Sequence, residues 1–243
     1  MNSTPPYRAR RSGFTLIELL AVVAVIAVVI AFAIPATNQI LRGSQLSQGG
    51  QLLGDQIAFA RQLALTKNRT MEFRFYRFGD PETPGEKYDD PKLGRWRGFQ
   101  IFELMDSGAA VPATPFQRLP RMTILDGEKF STLLNKDYVG EPKIAEDDPT
   151  TPDLPVEING LRVGKKYEYV SFRFLPDGTT NLPLKAKKAN SGGGRDDSDT
   201  WYVTVVSLAD LGKDLKGINY STLQIDPITG SQKTFRPTVG EKP

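Results

Sequence analysis

The chain has 243 residues, 39% of them hydrophobic, enough for one sizeable soluble domain plus an accessory segment. It contains no Cys and no His, which excludes thiol nucleophiles, disulfides, imidazole bases and the usual zinc ligand sets. The net charge of +3 is accounted for by Arg8, Arg10 and Arg11, the only charged side chains before Phe14, so the body of the chain is balanced and gives no general reason to expect an anionic partner.

The first predicted element is an apolar run of 21 residues, Phe14 to Ile34, broken by one charge at Glu18. As a helix it would be about 31 Å long, the thickness of a hydrocarbon core. Three arginines precede it and the next is Arg42, so the positive-inside rule predicts a cytoplasmic N-terminus and an exported remainder. A secretory signal is the simpler reading of a basic region followed by an apolar one, with "AFAIPA" as a loose cleavage site. It leaves Glu18 unexplained. A carboxylate in a membrane span is costly and reads as functional, yet the run holds no cation to pair with it. Cleavage after Gly13 would create one, the α-amino group of Phe14, at i to Glu18's i+4 on one helix face. Glu18 would then lie in the first helical turn, where the helix dipole favours a negative charge.

The segment "SGFTLIELLAVVAVIAVVIAFAIP" closely resembles the N-terminal signature of type IV pilins and type II secretion pseudopilins. The resemblance implies cleavage by a prepilin peptidase between Gly13 and Phe14, with N-methylation of Phe14. It assigns Glu18 to assembly, neutralising an incoming N-terminal amine, and Pro35 to a kink in the helix. It also implies other pilins or pseudopilins as partners, with an assembly ATPase and an inner-membrane platform. The subunit is expected to be single-pass in the inner membrane, its C-terminal domain periplasmic, before entering an extracytoplasmic filament.

Residues 36–68 continue in helical pattern, with Leu53, Ile57, Ala60 and Ala64 forming one apolar stripe. Gln48, Gln51, Asp55, Gln62 and Lys67 take the solvent side. Gly43, Gly49, Gly50 and Gly54 each cost about 1 kcal/mol relative to alanine, and two readings stand: close packing against neighbouring helices, or local melting during assembly. After Asn68 the pattern changes to alternating strands. "TMEFRF" sets Met71, Phe73 and Phe75 against Glu72 and Arg74 as in a half-buried strand. Residues 98–104, 121–125, 169–174 and 201–208 read as further strands, and 222–237 as a hairpin around Pro227–Gly230. The segments 79–94, 140–155 and 185–199, rich in Gly, Pro and charge, read as surface loops. Trp96 and Trp201 read as core residues, with the Arg95–Trp96–Arg97 cluster partly exposed.

A second resemblance, to the H-type minor pseudopilins and FimT-like minor pilins, rests on Ala60–Arg61 late in the helix. It also rests on the turn Phe174–Leu175–Pro176–Asp177–Gly178 and on a final strand after Thr229–Gly230. The expected fold class is therefore α+β, a long N-terminal helix packed on an antiparallel β domain. Its expected divisions are a leader at 1–13, a membrane and filament-core helix at 14–34, an amphipathic continuation at 35–68 and an exported domain at 69–243.

No catalytic residue, metal or cofactor is expected. Asp196, Asp197 and Asp199, like Glu146, Asp147 and Asp148, lack the spacing of a calcium loop. Lys185, Lys187, Lys188 and Arg195 would contact phosphates if this were a DNA-uptake minor pilin. Nearby aspartates cancel much of that charge, which favours a solvated loop, and nucleic acid is not among the expected partners. The rival from another class is an exported binding protein that uses the apolar run only as a tether.

Overall fold

The computed structural model describes residues 15–127, 129–148, 151–158, 160–186, 200–213 and 218–236, with the side chains of 32–39 outside the described set. The chain divides into two units, Met1–Leu41 and Arg42–Pro243. Helix α1 (Leu16–Lys67) contributes to both.

In the first unit every large apolar side chain from Leu16 to Ile30 is exposed, from 48% at Val22 to 82% at Leu16. A helix that is apolar all round has no solvent face to offer water. Among the described residues no helix is long and apolar enough to cross a membrane. The described part of the expected span ends at Ala31, with Phe14 and the side chains of 32–34 outside it.

In the second unit, α1 is followed by strands β1 (Met71–Phe78), β2 (Arg95–Leu104), β3 (Ala110–Pro112), β4 (Gln117–Arg118) and β5 (Thr123–Asp126). A one-turn helix α2 (Lys136–Val139) precedes β6 (Lys143–Ile144), β7 (Leu154–Ile158), β8 (Leu161–Gly164) and β9 (Glu168–Phe174). The remaining strands are β10 (Trp201–Ser207), β11 (Tyr220–Ile225) and β12 (Gln232–Phe235). Ten strands form one antiparallel sheet in the order β12-β11-β10-β5-β2-β1-β9-β6, with β3 and β4 paired to β2, while β7 and β8 form a separate hairpin.

The apolar stripe of α1 docks as its spacing predicts: Leu53, Ile57, Ala60 and Ala64 are fully buried. They share a core with Phe73 and Phe75 of β1, Phe99 and Ile101 of β2, Phe172 of β9, Val203 of β10 and Leu223 of β11. Full burial of a side chain such as Leu53 or Ile57 stabilises by about 1.5–3 kcal/mol, so apolar contact is a principal term holding this half of the helix. Two of the four glycines, Gly49 and Gly50, pack tightly against the chain's own sheet, whereas Gly43 has nothing within 4 Å of an added Cβ. A Cβ on Gly49 would lie 2.9 Å from Cγ2 of Thr123, and one on Gly50 would lie 2.7 Å from Oγ of Ser221.

Three sequence expectations are corrected. β1 is not half-buried, because Glu72 and Arg74 are also covered. Its second face carries another core, in which Tyr76, Phe78 and Phe102 meet Leu154, Val156 and Val163 of the β7–β8 hairpin and Tyr167. Consequently 140–155 is no surface loop: it carries β6 and the buried Ala145, Thr151 and Leu154. The 79–94 loop lies at the surface as expected, although Asp80 and Glu86 within it are buried on Arg97. Finally, the 95–97 cluster is mostly inside, with Trp96 and Arg97 both buried. A register shift opposite Tyr76/Arg77 leaves Arg97 as the extra residue of β2, which turns it from Trp96's side of the sheet toward the second core. Of the third expected loop, 185–199, only Lys185 and the buried Ala186 are described.

Candidate functional site

The N-terminal segment begins, among the described residues, with a reciprocal pair. The backbone N–H and hydroxyl of Thr15 donate to Oε2 of Glu18 at 2.8 and 2.9 Å, and the Glu18 N–H donates to the Thr15 hydroxyl at 3.3 Å. Thr15 immediately precedes α1 and Glu18 is its third residue, so the two form a capping box that satisfies donors a helix start leaves unpaired. The sequence reading sought a cation for Glu18 and missed this partner. The T-x-x-E spacing before an apolar run was the available signal.

Gly13 and Phe14, the expected cleavage and methylation positions, lie outside the described residues, as do Lys187, Lys188 and Arg195. Pro35 falls within the range of α1, its side chain outside the described set. Lys185 is described and exposed. The expected basic cluster is therefore represented by one residue. Among the described residues no group of three His, Cys, Asp or Glu is placed to hold a metal ion.

At the far end of α1 the structure joins residues that the sequence had noted separately. Arg61 donates from Nε to the carbonyl oxygens of Gly178, at 3.3 Å, and Thr229, at 2.9 Å. Those carbonyls belong to the turn after β9 and the β11–β12 turn. Elsewhere, a cleft of roughly 730 Å³ is lined by Arg77, Lys92, Leu134, Lys136, Glu141 and Glu168. Within it Arg77 Nε donates to Glu168 at 2.8 Å, and the exposed Lys136 lies 3.6 Å from Glu141. Arg77 also lies over the Trp96 ring, 5.3 Å from its centroid.

Buried polar clusters support the sheet's second face. Arg74 donates to Glu72 at 2.6 Å and lies over the Phe102 and Tyr169 rings. Arg97 donates to Asp80 at 2.9 Å and to both oxygens of Glu86 at 2.6 and 2.8 Å. Burial raises the Glu86 carboxyl above its ordinary range despite Arg97, and burial likewise lowers the Arg97 guanidinium. Burial also pushes the Tyr167 phenol up to about 12. These shifts accompany close packing and buried ion pairs.

Residues 8–34 match the prokaryotic N-terminal methylation motif. The chain is 49% identical over 45 residues to a type IV major fimbrial protein, FimA, of Dichelobacter nodosus, covering 18% of this chain and 28% of that protein. A second such FimA of the same species is 46% identical over 57 residues, covering 23% and 35%. The matched stretch thus spans about a third or less of these relatives' length. Among solved structures, the minor pseudopilin EpsH of the Vibrio cholerae type 2 secretion system aligns with 81% of this chain and 99% of its own. The TM-score is 0.39 and the identity 10%. The type IV minor pilin FimU of Pseudomonas aeruginosa aligns over 82% and 93%, with TM-score 0.37 and 11% identity. Over the N-terminal segment that carries the methylation motif and the Thr15–Glu18 box, this chain is similar to type IV pilins.

Proposed function

We propose that the chain is a minor pilin or pseudopilin, a non-catalytic building block of a type II secretion pseudopilus or a type IV pilus-like filament. The observation that carries this reading is the methylation motif over residues 8–34, within which α1 begins and exposes every large apolar side chain from Leu16 to Ile30. Such a helix requires a bilayer or the packed helices of other subunits around it. In this reading residues 1–13 are a leader that prepilin peptidase removes between Gly13 and Phe14, and Phe14 is then methylated. Residues 14–34 anchor the subunit in the inner membrane and later enter the filament core, and the β domain is exported.

Glu18 has two tasks on this account. Its carboxylate caps the start of α1 through Thr15, and it faces the amine that processing creates. The finer H-type assignment draws support from Arg61, which contacts both turns on which that resemblance rests. The test is the mass of the mature N-terminal peptide from the native host. A peptide beginning at methylated Phe14 is expected. An intact Met1, or a start near Ala36, overturns the proposal.

A further inference from the structure

The turn after β9 and the β11–β12 turn are far apart in the sheet: β1, β2, β5 and β10 lie between β9 and β11. Strand pairing therefore does not bring them together, yet they touch. The Thr180 N–H donates to the Pro227 carbonyl at 3.1 Å, and the Thr180 hydroxyl donates to the same oxygen at 3.0 Å. Gly178 and Gly230 both adopt the left-handed region, with φ of +81° and +64°. A Cβ on Gly230 would lie 2.2 Å from the Gly178 carbonyl oxygen and 3.2 Å from the Arg61 side chain. Over this junction lies α1, with Leu65 within 3.0 Å of a Cβ placed on Gly178 and Arg61 donating to both turns.

We infer that Arg61 is a two-turn latch, a positioning residue that closes the two distant strands of the sheet around α1 so that opening either turn opens the other. A guanidinium suits the task because its charge strengthens hydrogen bonds to carbonyls and its Nε–H, shared here between two acceptors, stays protonated. The glycines follow from the latch: only a residue without Cβ lets Thr229–Gly230 approach Gly178 this closely while holding a positive φ.

Backbone hydrogen exchange of the full chain in detergent tests the coupling. Arg61→Ala should accelerate exchange by about tenfold or more in both 175–181 and 226–231, leaving the β1–β2 pairs 71–75 and 99–103 within about twofold. Arg61→Lys, which keeps the charge but loses Nε, should accelerate the same two segments. Thr180→Val, which keeps the shape and removes one donor, should accelerate exchange at 226–231, some fifty residues away in sequence. Acceleration confined to one turn, none at either, or equal acceleration throughout the β domain would overturn the latch.

Discussion

Arg97 offers the sharpest test of how the domain's second face is held. Replacing it with Met keeps much of the volume and removes the cation. Asp80 and Glu86, whose side chains are 3% and 1% exposed, then lose three charged hydrogen bonds at 2.6 to 2.9 Å. Arg118 remains 2.7 Å from Asp80, and Arg95 reaches Glu86 only at 4.0 Å, so Glu86 bears most of the loss. Removing one partner of a buried ion pair costs about 3–5 kcal/mol. For a domain of this size that corresponds to a fall of roughly 6–20 °C in Tm. The assay is thermal unfolding of the detergent-solubilised full chain, with Arg97→Met compared to Arg97→Met/Glu86→Gln. The double variant should recover a substantial part of the loss, because an amide tolerates burial better than an unpaired carboxylate. A Tm change under about 2 °C for the single variant, or no recovery in the double, would refute the claim that Arg97 fastens residues 80–86.

Three further outcomes are expected. Gly50→Ala should destabilise by about 1–3 kcal/mol, because Ser221 blocks the new methyl. Gly43→Ala, with nothing within 4 Å, should be neutral or stabilising by up to about 1 kcal/mol, and equal denaturant midpoints for the two would contradict the packing account. The raised carboxyl of Glu86 makes its stability contribution fully present below its ordinary value of 4.5 and lost as pH rises through the raised folded value. Wild-type stability should therefore fall relative to Glu86→Gln across that window, and the opposite slope in a Tm series against pH would contradict the assignment. At the N-terminus, Glu18→Gln removes the charge and keeps an acceptor for Thr15, whereas Thr15→Val removes the capping hydroxyl and keeps the charge. Both should be processed, with filament incorporation impaired more by Glu18→Gln. Incorporation of Glu18→Gln at the wild-type level, scored by co-purification with filaments, would leave the cap as the residue's sole task.

Local pattern made much of the fold legible. The stripe Leu53–Ile57–Ala60–Ala64 and the alternation in Met71–Phe75 record one-dimensional periods, 3.6 and 2, that survive whatever packs against them. The hairpin around Pro227–Gly230 was equally plain, since its turn chemistry is local. Loop composition misled at 140–155, and at 79–94 it gave no sign of the buried Asp80 and Glu86. Gly, Pro and charge signal irregular backbone, and they do not say whether that backbone lies against a sheet face.

What the sequence determined by itself was the N-terminal identity, since a methylation motif, a T-x-x-E cap and an apolar helix are each written in neighbouring residues. Tertiary structure decided the partners of Arg97 and Arg61. A bulge in β2 re-aims Arg97 toward carboxylates 11 and 17 residues away. Arg61 meets turns 117 and 168 residues further along the chain. Contacts at such separations follow from the register of the sheet and its closure around a helix, and no local pattern of residue types encodes either.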